Sequence, residues 1–133
     1  MSSLYLAGPM SGKPQCNFPL FDEAAAALRN AGLSIISPAE LDDPIDREIA
    51  LRDGVPRKSW GDFLARDVKI IADQTVGIIF LPEWSSSLGA KLEAYTALAA
   101  GHIDFGYYDS AQPGKVWWVS VDHIRETLRR EMP

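Results

Sequence analysis

Glu93 closes the run Ser87-Leu88-Gly89-Ala90-Lys91-Leu92-Glu93, just past the most strand-like segment of the chain. Residues four apart on a helix share a face, so Glu93 lies one turn from Gly89 and one turn from Ala97. Both neighbours are small, and the carboxylate faces an open notch toward the carboxyl edge of a sheet. A solvated helical glutamate needs no such clearing. Ser87 stands at the helix start, where its hydroxyl could cap the helix or bind a phosphate together with free N–H groups. A second carboxylate could come from Asp62, Asp67 or Asp73 in the preceding helical segment, where Arg66 and Lys69 are available as ion-pair partners.

A second chemical feature is the opening stretch Leu4-Tyr5-Leu6-Ala7-Gly8-Pro9-Met10-Ser11-Gly12-Lys13-Pro14. A strand that feeds a glycine-rich turn and then a helix suits a phosphate or a sugar hydroxyl. Glycines let backbone N–H groups approach a ligand, and the helix N-terminus adds positive potential. The loop is neither a dinucleotide fingerprint nor a P-loop, because no Gly-Lys-Ser/Thr follows. A plain turn accounts for Gly and Pro alone.

These residues need elements to position them. Residues 3–7 read as a short buried strand. Asn17 reads as a helix N-cap, with Pro19 and the acids Asp22 and Glu23 in the first turn. Phe18, Phe21, Ala25, Leu28 and Ala31 recur at helical spacing, and Gly32 supplies a stop. Residues 33–36 form a second strand. Residues 40–58 are charged and weakly periodic, and are expected to form a long loop or lid with one helical turn at most. Trp60, Phe63, Leu64, Val68 and Ile71 mark a helix over 59–73. Residues 76–81 are apolar on both faces, as a central parallel strand should be. A helix over about 87–100 stops at Gly101, a weak strand lies near 103–107, Val116–Val119 is a strand, and a closing helix runs from Asp122 to Glu131. Alternation of this kind predicts one α/β domain over 1–133. It would have a flavodoxin-like or Rossmann-like doubly wound, mostly parallel five-stranded sheet. Ligands in such sheets bind beyond the strands' carboxyl ends. Loops 7–16, 37–58, 81–87 and 107–115 fall there.

Composition narrows the function. The chain has 133 residues and a net charge of −5, which argues against a nucleic-acid polymer as partner. A small anion held by backbone amides is compatible with it. Cys16 is the only cysteine, so no disulfide forms within the chain and a reducing compartment is expected. No apolar run is long enough to span a membrane, and the N-terminus lacks the features of a signal peptide. The chain reads as cytoplasmic, with no membrane partner. His102 and His123 are isolated, so no metal and no cofactor are expected. Trp60 and Trp84 flank the site loops and could stack on a base or pack in the core. Trp117 and Trp118 alternate on a strand, so one should face the core and the other a helix layer or a partner subunit.

The segments "YLAGPMSG", Asn17-Phe18-Pro19, "SPAE" and "LPEWSSSLGAKLEAYTALAAG" resemble the nucleoside 2-deoxyribosyltransferase superfamily over roughly residues 3–101. The resemblance is nearest to small phage and bacterial domains of that superfamily. Ser87, six residues before Glu93, looks most like the 2'-deoxynucleoside 5'-phosphate N-hydrolases, whose serine contacts the 5'-phosphate. The transferases typically have an aspartate there. The resemblance implies that Glu93 is the nucleophile and that Asp67 acts at the nucleobase. It implies further that Tyr5, Gly8, Pro9, Met10, Ser11 and Gly12 form the loop over sugar and phosphate. Phosphate-binding members often carry an arginine in that loop, where this chain has Ser11 and Lys13. Gly89 and Trp84 complete the expected substrate contacts.

The expected reaction is hydrolysis of the N-glycosidic bond of a (deoxy)nucleoside 5'-monophosphate. Breaking that bond builds positive charge at C1', which a carboxylate beneath it stabilises and can trap as an ester. A second acid with a raised pKa protonates the departing base. A base accepting the sugar in place of water would make the protein a 2'-deoxyribosyltransferase. A non-catalytic nucleotide sensor and a thiol enzyme using Cys16 are further alternatives. The superfamily often completes its sites across a dimer, so a homodimer or higher homo-oligomer is expected. Tyr107, Tyr108 and Asp109 are candidates to reach a neighbouring site.

Overall fold

A computed structural model describes residues 2–131. Five strands form one sheet: β1 (Leu4–Ala7), β2 (Ile35–Ile36), β3 (Gly77–Phe80), β4 (Asp104–Tyr108) and β5 (Val116–Val119). Their spatial order is β2-β1-β3-β4-β5. β1 to β4 run parallel and β5 returns antiparallel to β4. The doubly wound, mostly parallel α/β architecture is therefore as the alternation predicts, with β3 in the centre. β5 turns back because residues 109–115 are too few for a crossover, which takes a dozen or more.

Period-two alternation sorts the sheet into two cores. Leu4 and Leu6 point to one face, where helix α1 (Phe18–Asn30) buries Phe18, Phe21, Ala24, Ala25 and Leu28. Tyr5 and Ala7 point to the other. That face is covered by α3 (Trp60–Gln74), α4 (Leu88–Ala99) and α5 (Val121–Glu131). Gly77 permits the closest approach in the sheet: an added Cβ would stand 1.8 Å from the Asp104 carbonyl oxygen. Among the described residues no helix is long and apolar enough to cross a membrane.

Several local expectations change. Residues 40–58 are not mainly loop but carry a full helix, α2 (Pro44–Asp53). Asp43 caps it by accepting from the Asp46 amide at 2.9 Å, Pro44 opens its first turn, and Gly54 ends it at φ 71°. Asn17 precedes α1 but does not cap it. It is left-handed at φ 60°, and its Nδ2 donates to the Pro9 carbonyl at 2.8 Å. The first turn of α1 holds no acid, because the helix begins at Phe18 and Asp22 lies beyond it. β2 is only two residues long. Neither strand tryptophan enters the core: Trp117 is half-buried under the Lys115 ammonium, and Trp118 is 54% exposed.

Candidate active site

Ser87 has extended backbone and accepts a hydrogen bond from the Ala90 amide at 3.2 Å, so it caps α4. Its O–H remains available as a donor toward the cavity it lines. Two residues on, an added Cβ at Gly89 would meet nothing nearer than the Trp60 indole nitrogen at 3.8 Å. That cleared notch exposes the next turn, where Glu93 sits only 7% accessible. Ser87→Ala should cost about 1 kcal/mol of stability by loss of the cap, read from urea unfolding. Ser86→Ala should cost less, because the Ser86 hydroxyl only donates to the Glu83 carbonyl in an exposed turn.

Two elements reach Glu93 on α4. From β1, the Tyr5 hydroxyl donates to Glu93 Oε2 at 2.5 Å. From α3, which packs along α4, buried Asp67 lies near enough for its charge to act on both Glu93 and Tyr5. Arg66 Nε donates to Asp67 Oδ1 at 2.9 Å, and Arg66 Nη1 to Asp42 Oδ1 at 2.7 Å. The guanidinium lies 5.2 Å from the centre of the Phe63 ring.

Burial, then the Asp67 charge, pushes the Glu93 carboxyl well above the usual range, although the Tyr5 hydroxyl favours the anion. Burial also raises Asp67, but Arg66 works against it. Burial followed by the two carboxylates drives Tyr5 well up, so its proton stays on. Burial disfavours the charge on Arg66, yet Asp67 and Asp42 outweigh this and hold the guanidinium above its ordinary value. Two neighbouring acids held away from water do not readily both ionise. The site is thus equipped to hold, donate and accept one proton beside a carboxylate.

Above this floor lies a cavity of about 580 Å³, within the range of small-molecule sites. One wall is the opening loop, Gly8 to Lys13. Gly8 is glycine for packing, since a Cβ would stand 2.9 Å from Leu81 Cβ, and Gly12 takes φ 79°. After the loop Gln15, Cys16 and Asn17 are all left-handed, at φ 53°, 54° and 60°. Each such L-residue costs about 1–2 kcal/mol. The Asn17 bond to Pro9 and the burial of Cys16 help to offset it. Trp60, Phe63 and Leu64 from α3 also line the cavity, as do Val55 and Pro56.

The structure brings Glu93, Asp67, Gly8, Pro9, Met10, Ser11, Gly12, Ser87 and Gly89 to this one cavity. Two expected contacts fall elsewhere. Tyr5 is fully buried beneath the floor and touches Glu93, not the space above. Trp84 is 6% exposed and stacks on Phe80 at 4.1 Å between ring centres, because a 3-10 turn tucks it into the core. The aromatic at the mouth is Trp60, 48% exposed. Lys13 lines the cavity but is paired with Glu83 at 2.8 Å. Cys16 is packed and not activated: burial, then Asp42, pushes its thiol up, and Sγ donates to the Gly54 carbonyl at 3.4 Å. No residue of 107–115 reaches the cavity. Tyr108 donates to Glu23, and Tyr107 bonds His123. Asp42, Arg66 and Phe63 were not singled out from sequence as cavity residues. Their signal was the run of charge on either side of α2 and the aromatic positions of α3.

Fold and site together define a doubly wound α/β domain with a buried carboxyl pair beside a helix N-terminus. Residues 2–103 match the family model of a domain of unknown function, DUF4406, and the chain belongs to that family. Every residue of the carboxyl cluster lies inside the matched segment, and β4, β5 and α5 lie beyond it. No curated protein matches the chain.

Proposed function

We propose that this domain cleaves the N-glycosidic bond of a (deoxy)nucleoside 5'-monophosphate, as a hydrolase of the nucleoside 2-deoxyribosyltransferase type. The observation that carries the reading is the presence of Glu93 and Asp67 as neighbouring acids on one cavity floor, with Tyr5 holding one Glu93 oxygen. Glu93 attacks C1' and Asp67 protonates the departing base, the division of labour that two carboxyls of unlike environment support. Ser87, the first amides of α4 and the Gly8–Gly12 backbone face the phosphate and sugar. Trp60 and Phe63 offer flat apolar surface to the base.

The test is a screen of nucleoside 5'-monophosphates, ribo and deoxy, for released free base, with and without a second base in solution. Free base and sugar phosphate are expected, with no new nucleoside. Formation of a new nucleoside would replace hydrolysis by transfer. Binding without release from any nucleotide would leave only a sensor.

A further inference from the structure

Arg66 is shared between two acids, and only one of them belongs to the reacting pair. The Asp42 side chain is 2% exposed, accepts from Arg66 Nη1 at 2.7 Å and lines the same cavity. The guanidinium is further fixed by the Phe63 face and by an Nη2 donation to the Pro38 carbonyl at 3.4 Å. The groups facing the pair from the surrounding elements are Tyr5 of β1, Arg66 of α3 and Asp42 of the segment before α2. A charged donor stabilises a carboxylate more than a phenol does. Arg66 bonds Asp67, whereas Glu93 receives only the Tyr5 hydroxyl.

We infer that the resting site keeps a single proton on Glu93, that Arg66 fixes it there by holding Asp67 as the anion, and that Asp42 tempers Arg66 enough for Asp67 to take this proton when substrate enters. The last step rests on the proposed glycosidase reading. The proton count then closes. The Glu93 O–H bond breaks as an Asp67 O–H bond forms. The freed Glu93 carboxylate bonds C1' while the C1'–N bond breaks, its electron pair going to the base nitrogen, which takes the Asp67 proton. Water gives its hydroxyl to C1', the ester C1'–O bond returns its pair to Glu93, and the second water proton restores the starting state. Asp42 and Arg66 are positioning residues, acting through Asp67.

The experiment is a carboxyl carbon NMR titration of the full chain, with the pH profile of base release beside it, in wild type, Asp42→Asn and Asp42→Glu. In wild type the first proton lost from the pair should appear mainly at the Asp67 carbon and the second mainly at Glu93. Asp42→Asn should move both steps, and both limbs of the activity profile, down by about one pH unit. Asp42→Glu should return them toward wild type. A merely structural Asp42 would lower thermal stability and turnover at every pH with the titrations unmoved, and that result overturns the inference. So does a wild-type Glu93 that ionises before Asp67. If wild type releases no base at all, the glycosidase reading falls, and the titration alone still decides where the proton rests.

Discussion

In the Glu93→Ala protein, base release from a nucleoside 5'-monophosphate is expected to fall by about three orders of magnitude or more, while calorimetry still detects nucleotide binding. In the proposed reaction this carboxylate is the group that bonds C1', whereas Ser87, the helix amides and the opening loop are untouched by the substitution. A loss under about tenfold would remove Glu93 from the chemistry. Glu93→Gln keeps the shape and an acceptor for Tyr5, and should be equally inactive. Its stability carries a separate signature. Folded Glu93 holds its proton above the ordinary value of 4.5, so between the two values the native state binds more protons than the unfolded chain. Its contribution is full below that unfolded value and is lost as pH rises through the folded one. Glu93→Gln has no such slope. Its melting temperature should gain on wild type steadily from acid to neutral pH.

The largest effect on folding is expected at Gly77. Gly77→Ala places a methyl 1.8 Å from the Asp104 carbonyl oxygen and 2.7 Å from its carbon. Neither atom is a movable side-chain tip, so β3 must part from β4 at the start of their ladder. β3 is central and buried along its whole length. A loss of about 3 kcal/mol or more is expected, measured as a lower urea midpoint. An unchanged midpoint would mean that the two strands do not approach as closely as described.

Much of this arrangement was legible in the residues. The alternation of apolar runs with helical spacing marks the layers, and the small residues around Glu93 mark the notch. α2 escaped because it buries little, only Asp46 and Ala50, so hydrophobic periodicity is faint. Its boundary signals, Asp43-Pro44 and Gly54, were nevertheless present in the sequence. Asn17 has the right type for a cap, but three successive left-handed residues redirect its amide to Pro9. Trp84 and Trp60 both flank the site in sequence. A tight turn sends the first inward, and the exposed start of α3 leaves the second at the mouth, a distinction made by tertiary packing alone. Tyr5 alternates to the correct face of β1, but which partner waited there depended on how α4 packs across the sheet.

The pairing of Lys13 with Glu83 at the cavity rim has a consequence for what can enter. Any anion that reaches for this ammonium meets a rival already tethered a few ångströms away, whose effective local concentration no free carboxylate in solution matches. A singly charged visitor brings no more charge than the incumbent, while a phosphate monoester near neutral pH carries close to two charges. Under the nucleotide reading proposed above, this rim would favour ligands by valence and not simply by sign.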